Sequence, residues 1–271
     1  MSVFQVLKGV RGERVFRIAT MGILAFLTLF FIIIVVAMVA YTDWATLIST
    51  LISEEILFAI KLSLITATVA SIIAIAIAIP VAYAISQAEF PGKNIVDTIL
   101  DLPIVISPIA LGAALLVFSN TPIGRGIENN IIRFVFEVPG IILAQFTVIS
   151  ALAVRLLKST FDSIDPRYEQ VGRTLGCSKL KVFFRVTLPL ARDGLIASSI
   201  LTWAKAMGEF GATVTLAGAT TFKTETLPIA IFLSLASADV EKAVAVIFIL
   251  IVIAAASLIA LRKISGRSYQ I

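Results

Sequence analysis

The sequence predicts an all-α chain folded as a polytopic bundle of six transmembrane helices. Three observations carry that prediction. Hydrophobic residues make up 59% of the 271, with a mean hydropathy of +1.05. Charged residues are only 14%, against about 25% in an ordinary soluble domain. The charges are also missing from long continuous stretches rather than thinned evenly. A soluble globule of this composition would display large apolar patches. The chain is too apolar for disorder, and its lone Cys177 forbids an internal disulfide. With no His at all, the commonest general base and metal ligand is missing.

A helix needs about 20 mostly apolar residues to cross ~30 Å of hydrocarbon. Residues 18–42 hold no charge in 25 positions, 62–88 none in 27, and 102–124 none in 23. Residues 138–154 (17) and 243–261 (19) give two more spans. The remaining span, about 189–218, carries Lys205 and Glu209 inside it. Residues 226–238 are uncharged too, but 13 positions are too few to cross, which predicts an interfacial or re-entrant segment. The runs are continuous, not alternating, so a barrel is excluded. The first span follows Lys8, Arg11, Arg14 and Arg17, yet it is much longer than a cleavable signal core and is expected to stay as an anchor. Pro80 in the second span, and Pro103 and Pro108 in the third, predict kinks or breaks.

An even number of spans places both termini on one side. With that side cytoplasmic, inner segments hold 15 basic residues and outer ones 4, namely Arg125, Arg133, Lys223 and Lys242. That asymmetry satisfies the positive-inside rule and puts Cys177 in a reducing compartment. The longest polar stretch is about 30 residues, too little for a separate soluble domain, so the whole chain, 1–271, is read as one transmembrane domain.

That stretch, 161–190, reads FDSIDPRYEQVGRTLGCSKLKVFFRVTLPL. Asp165-Pro166 starts a helix, Tyr168, Val171 and Leu175 recur at helical spacing, and Gly176 closes it. Ser178 caps a second short helix with Leu180, Phe183 and Phe184 on its apolar side. Arg173, Lys179, Lys181 and Arg185 make the other side basic. On these grounds alone the segment is an elbow that either docks on a partner or lies on anionic lipid.

The spacing resembles the E-A-A-x3-G-x9-I-x-L-P signature of ABC importer permeases. Gln170, Val171 and Gly172 stand at the E-A-A positions with Glu169 just before, and Gly176 and Val186-Thr187-Leu188-Pro189 complete the pattern. The resemblance implies a coupling helix that docks in a groove of a cytoplasmic ATPase subunit. It assigns that role to Glu169, Gln170, Gly172, Leu175, Gly176, Leu180, Val186 and Pro189. Gln170 replaces the family's usual Glu, and Glu169 could substitute in an ion pair to the partner. No G-x-x-x-x-G-K-[ST] phosphate loop is present. No cofactor is therefore expected on this chain, with ATP and Mg held by the partner ATPase.

In the fifth span Ser198, Thr202, Lys205, Glu209 and Thr213 are spaced by 4, 3, 4 and 4, which predicts one polar helix face turned into the bundle or a water-filled path. Lys205 and Glu209 could neutralise each other as a structural pair or border the pathway. Ala204, Gly208, Gly211 and Thr215 form a neighbouring small stripe. Gly208-Glu209-Phe210-Gly211-Ala212-Thr213, Leu216-Ala217-Gly218 and Thr224-Glu225-Thr226-Leu227-Pro228 resemble the molybdate, tungstate and sulfate branch of these permeases.

The resemblance implies a core at 55–262, preceded by an N-terminal tail and extra first span at 1–54. It also implies a cell-membrane homodimer with two ATP-binding cassette subunits and an extracytoplasmic substrate-binding protein, in contact with lipid and not with nucleic acid. Molybdate or tungstate is the expected cargo, with sulfate possible. Two other classes compete. An ion-coupled secondary transporter would use Lys205 and Glu209. A membrane-embedded enzyme is disfavoured, because the chain has no His, one Cys and no acidic cluster among its spans.

Overall fold

The computed structural model describes the backbone of residues 3–41 and 43–265, and within these the side chains of all but 3–12, 14, 15, 260–262, 264 and 265. Among the expected inner basic residues, the side chains of Lys8, Arg11, Arg14 and Arg262 lie outside the described set, as does Arg267.

Among the described residues all regular structure is helical, with turns and loops between the helices. The long ones are α1 (Val3–Tyr41), α3 (Glu54–Gln87), α7 (Val138–Asp162) and α14 (Val240–Ser265), with a short α2 (Trp44–Leu51) between the first two. These four are long and apolar enough to cross a membrane, and all start or end beyond the charge-free cores read from sequence. Pro80 does not break α3, because neighbouring helices hold the backbone around a proline in a packed span.

The third expected span is two helices. α4 (Lys93–Val105) and α5 (Pro108–Ser119) meet at 109°. Pro108 has no N–H and forces the residue before it out of the helical region. Ile106 and Ser107 accordingly sit at ψ 136 and 143, and the Ser107 hydroxyl accepts the Ala110 N–H as a new cap. A short α6 (Pro122–Asn130) follows.

The fifth expected span is broken as well. After the elbow come α10 (Leu188–Leu190), α11 (Arg192–Met207), an unwound Gly208–Glu209–Phe210, and α12 (Gly211–Ala217). At 16 residues α11 is roughly 24 Å long, short of the hydrocarbon core. By length and apolarity, then, the described residues hold four spans, or five where the bent α4–α5 pair counts as one. Residues 226–238, expected to be too short to cross, hold α13 (Leu227–Ala236), an apolar helix of ten residues.

The centre of the bundle is α3 packed along α7, with α11 against both and α14 against α11 and α13. Ala67, Ala70, Ala74, Ala78 and Ala82, spaced by three and four, form a fully buried stripe on α3. Lipid supplies no hydrophobic drive between spans, so side chains this small are what let two backbones approach closely. α1 packs on α14, and the rest of the chain buries none of its most apolar stretch.

Candidate functional site

The elbow is α8 (Arg167–Thr174), a turn at Gly176, α9 (Lys179–Val182) and a π-helical turn (Phe183–Thr187) running into α10. Asp165 opens it by accepting the Arg167 N–H at 2.9 Å. Gly176 has φ +83 with open space around it, so the backbone conformation, not crowding, demands glycine there. The Ser178 hydroxyl accepts the Lys181 N–H as the second cap. Pro189 lies in the first turn of α10, which continues the π turn, so it does not start the next span.

Two faces separate cleanly. Tyr168, Val171, Leu175 (79% exposed) and Leu180 (69%) stand out from the bundle, and Gln170, Arg173, Lys179, Lys181 and Arg185 are exposed beside them. Gly172, Val182 and Thr187 face inward and are buried. A Cβ on Gly172 would sit 3.0 Å from Val182 and 3.7 Å from Val186, so a side chain there would push the two arms apart. Phe183, read with the apolar face, turns inward instead, its ring 4.7 Å from that of Tyr83 on α3.

Glu169 is engaged internally. One carboxylate oxygen accepts from the Tyr83 hydroxyl at 3.2 Å and the other from the Thr187 hydroxyl. The ion pair to a partner expected of Glu169 would have to compete with both bonds. Tyr83 was not among the sequence-read site residues. Its signal was a lone phenol near the C-terminal end of an apolar span, a position where tyrosine is common for interfacial reasons alone. On its open side the elbow borders a cleft of about 460 Å³ lined by Tyr83, Gln87, Gln170, Arg173 and Lys179 among others.

The polar stripe of the fifth span does not share one face. Ser198 and Thr202 are buried on α11, and Thr213 is buried on α12. Lys205 is exposed near the end of α11, and the break removes its i, i+4 relation to Glu209. No ion pair joins the two among the described residues. Glu209 is 2% exposed and accepts the Ala212 N–H at 3.0 Å, so it caps α12. The hydroxyls of Thr202 and Thr213 are buried without a hydrogen-bond partner.

The two helix breaks lie side by side. A Cβ on Gly211 would be 3.0 Å from Pro108 and Ile109, and one on Gly112 would be 2.7 Å from the Ala212 carbonyl and 2.9 Å from Thr215. Half of the small stripe, Gly211 and Thr215, thus meets α5, whereas Gly208 meets nothing closer than 3.9 Å. Gln145 of α7 donates to the Ala206 carbonyl at the end of α11. Further along α7, Arg155 pairs with Asp97 at 3.3 Å and with Asp101, tying α4 to α7 ahead of its bend.

At the N-terminal end of α3, Glu55 pairs with Lys242 of α14 at 2.8 Å. Glu225, fully buried in the loop before α13, faces the same carboxylate. Burial first, then the neighbouring Glu55, push the Glu225 carboxyl up to about 7.

The profile of a family described as the binding-protein-dependent transport system inner membrane component matches residues 74–268. A Haloferax volcanii protein described as a probable molybdenum ABC transporter permease is 31% identical over 245 residues, 90% of this chain and 88% of that one. A sulfate transport system permease protein, CysW of Synechocystis, is 38% identical over 149 residues, 54% of each chain. In fold, the chain resembles one from the crystal structure of a bacterial alginate ABC transporter in complex with an alginate pentasaccharide-bound periplasmic protein. The TM-score is 0.77 at 18% identity, covering 97% of this chain and 98% of that one.

Proposed function

The chain belongs to the family of binding-protein-dependent transport system inner membrane components, and from that membership we propose that it is the pore-forming permease subunit of an ATP-driven oxyanion importer. It is a multi-pass membrane protein. In this reading both termini are cytoplasmic and the chain crosses six times, with α11 and α12 together making the fifth crossing. The permease core starts near residue 55, after an added first span. The cargo is molybdate or tungstate, in line with the relative that spans nearly the whole chain, and sulfate is the nearest alternative.

The elbow carries the reading. Four large apolar side chains stand exposed on a segment that is packed and hydrogen-bonded on its other side. Such a patch is what a protein interface buries. The partner is an ATP-binding cassette subunit, two copies serving two permeases. ATP and Mg reside on that subunit, and a substrate-loaded binding protein docks from outside, as the fold relative's periplasmic partner suggests. ATP binding draws the two elbows together and turns the cavity outward, and hydrolysis resets it. The permease supplies a gated conduit and no catalytic group. Coupling through Lys205 and Glu209 as an ion site is not carried further, since one is exposed and the other caps a helix.

Purification in detergent from cells expressing the whole transport system tests the interface. The wild-type chain should retain a nucleotide-binding subunit, and Leu180→Asp should reduce that retention by about tenfold or more, as loss of an interface anchor does. Reconstituted ATPase activity should be stimulated by binding protein loaded with molybdate or tungstate. Stimulation by sulfate alone would reassign the cargo. Uptake that collapses with an uncoupler and needs no nucleotide-binding subunit would end the proposal.

A further inference from the structure

Glu169 sits between two parts of the molecule that are far apart in sequence. Tyr83, 86 residues upstream, donates to one of its oxygens, and Thr187 of the π turn donates to the other. The Tyr83 ring lies 4.7 Å from Phe183 and 5.7 Å from Phe161 at the end of α7. The hydroxyl is therefore held in place by packing before the hydrogen bond is made. Behind it, Gly172, Val182 and Thr187 are buried and leave the two elbow arms no room to move relative to each other.

α3 is a consequential helix to hold. It has 34 residues, roughly 51 Å at ~1.5 Å each. It packs on α7, α11 and α13. At its outer end Glu55 pairs with Lys242, and the Ser63 hydroxyl accepts the Leu227 N–H at 2.8 Å where α13 begins. A displacement delivered near Tyr83 is thus carried to the outer loops by one unbroken element.

We infer that Glu169 is a positioning residue that clasps the elbow to α3, so that elbow movement drives α3 directly as well as the two helices joined to the elbow in sequence. The inference rests on the reading of the elbow as the ATPase-docking segment. It gives Glu169 an internal role in place of an ion pair across the interface.

The test uses the complete transporter in proteoliposomes, with molybdate-loaded binding protein, measuring subunit retention, ATP hydrolysis and molybdate taken up per ATP. Tyr83→Phe keeps the ring and removes the hydroxyl. It should retain the nucleotide-binding subunit and hydrolyse ATP within about two-fold of wild type, while uptake per ATP falls about tenfold, the scale of one hydrogen bond to a charged group. Thr187→Val should do the same and Thr187→Ser should restore coupling. Ser86→Ala removes a 2.6 Å bond from α3 to Asp162 at the same level without touching the elbow, and should leave uptake per ATP within about two-fold. Unchanged coupling in Tyr83→Phe, or an equal loss in Ser86→Ala, overturns the clasp. So does loss of subunit retention in Glu169→Ala with full coupling in Tyr83→Phe, which places Glu169 at the interface. A wild-type chain that retains no nucleotide-binding subunit sinks the elbow reading itself, a result separable from all of these.

Discussion

Two helix pairs in this molecule use small residues for opposite ends. α3 and α7 run unbroken for 34 and 25 residues and pack along each other, and α3 buries a continuous alanine stripe with no helix start or stop inside it. α5 and α12 each begin at a break, and they touch through Gly112 and Gly211 at the point where both chains unwind. A continuous ladder of backbone hydrogen bonds moves as a rod. A helix that starts at a break can change its angle to the segment before it by changing a few dihedrals. The first pair is therefore the frame and the second is where the chain has the freedom to be re-aimed, with Arg155 tying α4 to α7.

The strongest way to break that distinction is to crowd both pairs. Ala74 is fully buried in the core that α3 shares with α7, α11, α13 and α14, and Ala74→Leu inserts three carbons into it. Overpacking costs about 1–3 kcal/mol, occasionally more. Gly112→Ala places a Cβ 2.7 Å from the Ala212 carbonyl, which α5 and α12 can relieve by shifting at their breaks. Thermal unfolding in detergent should show the larger loss for Ala74→Leu, whereas uptake per folded transporter should fall further for Gly112→Ala. Equal stability losses with equal uptake per folded molecule would erase the contrast.

The frame was legible from residues and the breaks only in part. Charge-free stretches located α1, α3, α7 and α14 because a membrane tolerates few charges along a continuous helix, and that constraint acts on composition alone. Ser107-Pro108 announced the α4–α5 break, since proline acts on its own backbone and the residue before it. The break at Gly208–Phe210 was missed. There is no proline, and the i, i+4 spacing of Lys205, Glu209 and Thr213 looked like an unbroken face, while the unwinding is held by tertiary contacts from Ile109, Pro108 and Gln145. The elbow's turn and caps were readable for the same local reason: Gly176 and Ser178 act on their own segments. The Tyr83–Glu169 bond spans 86 residues and leaves no periodic trace.

The N-terminal end of α3 offers a second, smaller test. Glu225 ordinarily ionises near 4.5, but in the folded chain burial and Glu55 raise it to about 7, with Lys242 and a backbone hydrogen bond at Phe222 opposing. Between those values the folded chain keeps a proton that the unfolded chain has released. The folded state binds more protons, so this group's contribution is greatest below about 4.5 and is lost as pH rises through about 7. Other carboxylates titrate too, so the useful quantity is a difference. Subtracting the unfolding midpoint of Glu225→Gln, which stays neutral, from that of wild type should leave a value that declines from pH 5 to pH 8. A flat difference would mean that no proton is held between Glu225 and Glu55, and that Lys242 alone fixes the N-terminal end of α3.

The smallest expected effect is the most direct check on the break itself. Had residues 205–213 formed one helix, Lys205 and Glu209 would stabilise each other, and removing either would expose the other's charge. In the folded chain Lys205 is exposed and Glu209 caps α12 alone. Lys205→Ala should therefore change stability by less than about 0.5 kcal/mol, the range of surface substitutions. Glu209→Ala should cost about 1 kcal/mol or more, the worth of a helix cap, since the lost acceptor is buried. The double variant should equal the sum of the two within about 0.3–0.5 kcal/mol. A double variant clearly more stable than that sum would show the two charges in contact, and with it a continuous helix through Gly208 that leaves α5 as the one element able to turn.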